Sequence, residues 1–421
     1  MILIIYWGYC IVDTIWNRRT LSLFLGVVLQ AFCTAKLVWL KGLPNSPFDE
    51  TSMLNKHNSF LLIWVLFVFF AKIMGGYVIG KIAENKGFLG TQKFLIVGYI
   101  LTTCLFFITY FYASHWSYIR PVMIILTSLN VFLYPAMVVL PAIYLMKIHP
   151  PKTHVKISML IILASVIGYV LSYQILQYRP FMSMTIMAGA ALFGVIFCLS
   201  KNSLDSKKVE HAKKTQKSLP KTSEKILATL AGGVCGAGIT HNYFFIGPYA
   251  LNILILDENK FNLGYLFFYI SVSIFLVIAS KISDYVDFLK LMFVSLIGVL
   301  ILLMGFRMFD VSIGQGYILY QVLFSLCFSG FLAPSLTYVF KLFENGQSYF
   351  NSLFWYGLGL SLSHMFGFLL SKELGFFKGH FLLCSPLFIF GVLYLFIFTI
   401  IKFPKSEPLV QDNTAMKLSY R

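Results

Sequence analysis

Residues Lys72 to Lys93 read "KIMGGYVIGKIAENKGFLGTQK", and this stretch decides the fold. Its first third completes an apolar block at 58–80, and its last residues open another at 92–113. Each block has the roughly 20 residues a helix needs to cross a hydrocarbon core. Between them lie three glycines within six positions (75, 76 and 80), then Lys81, Glu84, Lys86 and Gly87. Small residues let helices pack closely in lipid. The charged run after Gly80 predicts a tight, water-exposed turn joining two spans.

Working outward, the same alternation covers the chain. Apolar segments fall at 20–41, 58–80, 92–113, 119–146, 155–177, 181–200, 226–252, 262–280, 288–308, 314–340, 348–371 and 379–402. Lipid leaves no partner for backbone polar groups, and continuous apolar runs satisfy them as helices rather than as alternating barrel strands. The expected fold is therefore all-α, with twelve transmembrane helices. Composition agrees: 58% of the 421 residues are hydrophobic and 12% charged, against about 45–50% and 25% in soluble domains.

The charge of +17 does not point to nucleic acid, because basic residues lie in short runs between apolar blocks. No Arg/Lys face interleaved with stacking aromatics is present. The seven cysteines are scattered without a C-x-x-C pair, so neither a metal site nor a disulfide framework is expected. A phosphate-binding lysine loop, H-E-x-x-H and G-x-S-x-G are all missing from the sequence, and no cofactor or enzymatic activity is expected.

Residues 201–225, "KNSLDSKKVEHAKKTQKSLPKTSEK", carry eight Lys against three acids and read as a polar linker. Six spans precede it and six follow. Placing it in the cytoplasm puts most Lys and Arg inside, as the positive-inside rule requires. Both termini are then cytoplasmic. The expected organisation is a lead-in at 1–19, a six-helix bundle at 20–200, the linker, a second bundle at 226–402 and a tail at 403–421. The first nineteen residues carry Asp13 and lack a basic start, unlike a cleaved signal.

The loop after the second span resembles the signature of the major facilitator superfamily, G-x-L-A-D-R-x-G-R-K. Gly80, Ala83, Glu84 and Gly87 match it, while Asn85 and Phe88 replace its two arginines. The corresponding loop of the second half, Ala279–Lys290 "ASKISDYVDFLK", places Ser280, Ser283 and Asp284 where that family repeats G-x-x-S-D. The resemblance implies two pseudo-symmetric six-helix units. It also implies a gating role for Gly80, Glu84, Gly87 and Asp284, whose acids latch helix ends between the halves.

Within that superfamily the chain is similar to the metabolite:proton symporter branch of proline/betaine type. "KIMGG" stands for R-P-L-G-G, with Lys72 in the Arg place, and "YLMKIHPPKTHVKIS" (144–158) resembles Y-x-A-E-x-x-P-x-x-x-R-G, with Lys147 in place of the Glu. The branch's two acids of the first span become Gln30 and Cys33. None of the sixteen Asp and Glu residues falls inside a span. His241 and His364, which titrate near physiological pH when unperturbed, are then the candidate proton carriers, and uncoupled transport is the alternative.

Polar side chains at bilayer depth are costly unless they face the bundle interior. On that ground the candidate substrate cavity comprises Gln30, Lys36, Asn130, Tyr134, His241, Asn242, Gln321, Trp355 and Tyr356. Asn130 and Tyr134, four apart, share a helix face. The glycine-rich segment "AGGVCGAGITHNYFFIGPYALN" (231–252) reads as an interrupted helix, a pointer to transporter sites. For each residue the plainer alternative is a helix–helix hydrogen bond contributing roughly 0.6–2 kcal/mol. A cavity without acids suits zwitterionic or anionic solutes. The expected function is secondary active or facilitative transport of an amino acid, betaine or organic acid by a monomer in a bacterial-type inner membrane. Export of a siderophore or drug-like compound, and a non-transporting membrane receptor or assembly factor, are the alternatives.

Overall fold

Long apolar runs leave the backbone no partner but itself, and all regular structure among the described residues is helical. The computed structural model describes residues 18–34, 59–111, 116–176, 220–241, 258–305, 315–344, 348–374 and 386–400. The helices are α1 (Arg18–Thr34), α2 (Ser59–Phe111), α3 (Trp116–Ile148), α4 (His154–Leu176), α5 (Thr222–Thr240), α6 (Glu258–Ile282), α7 (Phe288–Met304), α8 (Gln315–Leu342), α9 (Ser348–Asn351), α10 (Gly357–Leu374) and α11 (Pro386–Ile400). A π-helical turn, Ser352–Tyr356, joins α9 to α10. The expected span 181–200, most of the linker and both terminal segments lie outside the described residues, as do Lys36 and Asn242.

Among the described residues, four stretches are by themselves long and apolar enough to cross a bilayer: Leu66–Thr102, Ile124–Ile148, Pro151–Gly168 and Gln315–Leu342. Shorter apolar helices flank them. Burial is arranged for lipid. Ile63, Phe67, Phe70, Met74 and Tyr77 form an exposed stripe along α2 at helical spacing, and Val294, Ile301 and Met304 are exposed on α7. Polar Gln30, Asn130, Gln321, Ser325, Ser329, Ser335 and Thr337 are buried instead. An apolar exterior of this extent would be a liability in water; it is the ordinary surface of a multi-pass membrane protein.

The sequence places a turn after Gly80, and the structure corrects this. Spans 58–80 and 92–113 are two legs of one element that stays helical through Lys86 and breaks only at Gly87 (φ 71°, ψ −176°). That backbone region is essentially confined to glycine. Thr91, one turn into the second leg, donates its hydroxyl to the Gly87 carbonyl at 2.8 Å. Gly80 serves a different purpose: a Cβ there would lie 3.0 Å from the Phe350 Cα. It is a contact glycine.

The glycine-rich segment is likewise not interrupted where the structure describes it. α5 runs regularly from Thr222 to Thr240, and its glycines are surfaces for neighbours. Gly232 meets the backbone of Tyr356, Gly233 the Phe390 ring, Gly236 the Ser363 and Leu360 side of α10, and Gly238 the Phe328 ring. π-helical backbone appears at His241, the last described residue of that segment, and again in the eleventh span at Ser352–Tyr356.

Helices pack first within each half of the chain: α2 on α3, α1 on α4, α5 on α10 and α11, and α8 on α6 and α7. The halves then meet along two seams. α2 packs on α9, the π turn and α10; α4 packs on α6 and α8.

Candidate functional site

The two loop acids sit at these seams. Glu84 lies near the end of the first leg of α2, where its carboxylate accepts a hydrogen bond from the Tyr349 backbone N–H at 3.2 Å. Tyr349 belongs to the opening turn of α9, whose first N–H groups have no intrahelical acceptor. A carboxylate there also meets the positive end of the helix dipole. Asp284 lies in the turn after α6 and pairs with Lys156 of α4, N to O 2.8 Å. Each acid therefore reaches the opposite half of the chain.

Aromatic contacts surround the Glu84–Tyr349 hydrogen bond. Tyr77 meets the rings of Phe350 and Phe354 edge-on, with centroids 5.5 and 5.9 Å away. The Lys81 ammonium sits 4.6 Å from the Phe350 centroid, and that of Lys147 sits 3.6 Å from the Tyr349 centroid. Lys147, the departure from the branch pattern, is thus a cation–π partner for the opposite half. On the α4 side, Ser158 and Thr337 hydroxyls hydrogen-bond across α4 and α8 at 2.7 Å. His154 is buried against Phe340, rings 5.2 Å apart, with Nε2 3.1 Å from the His149 carbonyl.

Deeper in the fold, α5 and α8 bring together a polar-aromatic cluster. His241 Nε2 is 3.0 Å from the Tyr320 hydroxyl, and its ring stacks on Phe324 at 5.3 Å. Phe324 stacks in turn on Phe328. Tyr317, Gln321, Phe324 and Phe328 follow helical spacing along one face of α8. Gln321 is fully buried, and neither amide atom has a hydrogen-bond partner among the described residues. Leaving a buried amide unpaired costs about 1–3 kcal/mol per group.

Gln30 on α1 and Asn130 on α3 are buried. Trp355 lies in the π turn, donating its indole N–H to the Asn351 side-chain oxygen at 3.3 Å, with the Lys225 ammonium 5.6 Å from its ring. Tyr356 is buried in the same turn. The backbone of α3 carries Tyr134, whose side chain is outside what the structure describes. His364 on α10 is 2.6 Å, Nδ1 to Nζ, from Lys72 on α2. That contact joins the halves at depth; the sequence offered Lys72 only as the stand-in for a motif arginine.

No family model matches the chain, and no curated protein matches it by sequence. Solved structures do. A proton:xylose symporter, XylE, bound to 6-bromo-6-deoxy-D-glucose superposes with TM-score 0.68 at 13% identity, covering 91% of this chain and 95% of that one. A bacterial homologue of the iron transporter ferroportin in its outward-facing state gives 0.65 at 13% identity, over 91% and 99%. The human organic anion transporter MFSD10 gives 0.63 at 12%, over 91% and 98%. The chain has the major facilitator fold.

Proposed function

We propose that the chain is a major facilitator transporter carrying a small polar solute across a bacterial-type inner membrane by alternating access, with both termini cytoplasmic. The observation that carries this reading is the pair of latches: Glu84 on the α9 N-terminus and Asp284 on Lys156, each spanning the two halves. A single non-covalent latch of either kind is worth little enough to be broken in a cycle. Gly80 supports gating by letting α2 approach Phe350 closely, and Gly87 by ending the helical leg that presents Glu84.

The substrate wall we assign is His241, Tyr320 and Gln321. A carboxamide offers one acceptor and two donor hydrogens, and a histidine ring offers one of each when neutral. That set fits an amino acid, betaine or organic acid of the kind carried by the metabolite:proton symporter branch. The unpaired Gln321 amide supports this assignment, because a solute polar group would satisfy it.

Counterflow in proteoliposomes tests the reading, with amino acids screened first and organic acids second. Wild type is expected to exchange at least one labelled solute, and Gln321→Ala to raise its half-saturation concentration by about tenfold, the worth of one lost hydrogen bond to a buried group. Absence of counterflow for every small polar solute sinks the reading.

A further inference from the structure

Gln321 carries a donor group and an acceptor group into the fold and uses neither. Its Nε2 donates to nothing and its Oε1 accepts from nothing among the described residues, although the side chain is fully buried. The groups beside it on α8 are uncharged. Ser325, one turn along, donates its hydroxyl to the Val322 carbonyl at 2.8 Å. Phe324 stacks on Tyr320 and Phe328, and Phe268 of α6 approaches Phe324 with ring centroids 6.2 Å apart. Lysines of the packed helices meet other groups: Lys72 meets His364, Lys147 Tyr349, Lys225 Trp355 and Lys341 Phe288. Every Asp and Glu of the sequence falls outside the expected spans.

A solute that satisfies Gln321 must offer one acceptor and one donor side by side. The solute classes differ in this respect. Betaine has acceptors only, so Oε1 stays unpaired. An ionised organic acid also has acceptors only, and it brings a charge to a place where burial costs several kcal/mol. A free amino acid supplies both, but as two full charges that each carry that cost. A neutral carboxyl group supplies both in one plane: its O–H donates to Oε1 and its C=O accepts from Nε2. Keeping the proton is also how a carboxyl group avoids the cost of ionising away from water.

We infer that the chain carries an organic acid in its neutral, protonated form, held by a two-point pair with Gln321, so that the proton travels on the solute. This rests on the transport reading above and narrows its solute classes to one. On one side of the membrane the anion takes a proton from hydronium and binds as the neutral acid. On the other side the acid leaves, ionises and gives that proton back to water. One anion and one proton cross together, and no net charge moves. No side chain has to titrate, so spans without a carboxylate are sufficient for proton-linked transport.

Counterflow in proteoliposomes with equal pH on both faces tests it. Labelled lactate, glycerate and shikimate are the probes, and protein-free vesicles give the leak to subtract. The half-saturation concentration of total acid is expected to rise about 100-fold from about pH 5 to about pH 7, because the neutral fraction of a carboxyl group falls about tenfold per unit above its ordinary range near 4. Lactamide keeps the donor–acceptor fork and cannot ionise, so it is expected to inhibit equally at both pH values. Gln321→Leu is expected to lose acid exchange and lactamide inhibition while keeping its thermal midpoint, since an unpaired buried amide gives the fold nothing to lose. An acid affinity independent of pH overturns the proposal, as does lactamide that fails to inhibit equally at both values. Wild-type exchange by Gln321→Leu overturns it too. Exchange of other solutes but of none of the three acids overturns it and leaves the transport reading standing. Absence of exchange for every small polar solute removes the transport reading itself.

Discussion

The loops after α6 and after the first leg of α2 echo one motif, yet their acids work by different chemistry. Glu84 rides on continuous helix and binds a backbone N–H, with no salt bridge to a cationic side chain among the described residues. Asp284 sits in an irregular turn, 45% exposed, and binds a lysine. The first contact is insensitive to side-chain identity at position 349, because the donor is backbone; the second needs a particular residue at 156. The two loops share a sequence pattern, and their acids meet partners of different kinds. Water screens the second far more than the first.

Three substitutions sharpen this contrast. The largest effect is expected from Gly87→Ala, which forces a side chain into a backbone region that costs about 1–3 kcal/mol. It is read as a lowered thermal midpoint of the detergent-solubilised chain, and an unchanged midpoint means the first leg ends by some other means. Next comes Glu84→Gln, which keeps an acceptor but loses charge assistance and the dipole interaction. A loss of about 1 kcal/mol of seam closure is expected, seen as faster exchange of the 349–354 amides at both low and high salt. The smallest is Asp284→Asn, worth about 0.2–1 kcal/mol for a partly exposed pair. Its effect should vanish above roughly 0.5 M salt, and the swap Lys156→Asp with Asp284→Lys should restore it. If both acids respond to salt alike, the two latches are electrostatically equivalent and the contrast is wrong.

Much of this was legible in the sequence, for physical reasons that also mark where legibility stops. Apolar runs name spans because bilayer thickness fixes their length. Glu84 and Asp284 were readable as paired positions. Their partners were not: the donor to Glu84 is a bare helix start, which no side chain advertises, and Lys156 is an ordinary helix-end lysine. Gly80 and Gly87 look the same as letters. One makes room for Phe350 and the other turns the chain, and only the neighbours and φ tell them apart. The glycines of α5 at 232, 233, 236 and 238 pack against neighbouring helices, which their letters do not announce. The π turn at Ser352–Tyr356 follows from a shifted hydrogen-bond register, which composition does not encode. Lys72 and His364 are 292 positions apart, beyond any periodicity.

Gly75 and Gly76 are adjacent in α2 and point to different tasks. A side chain at 75 would strike the Phe132 backbone within the same half, and one at 76 the Leu353 carbonyl of the other. The first contact is made once, as the bundle assembles; under the alternating-access reading the second is made and broken in every cycle. On that reading a side chain at 75 would block assembly of the first half, and one at 76 the closing of the seam.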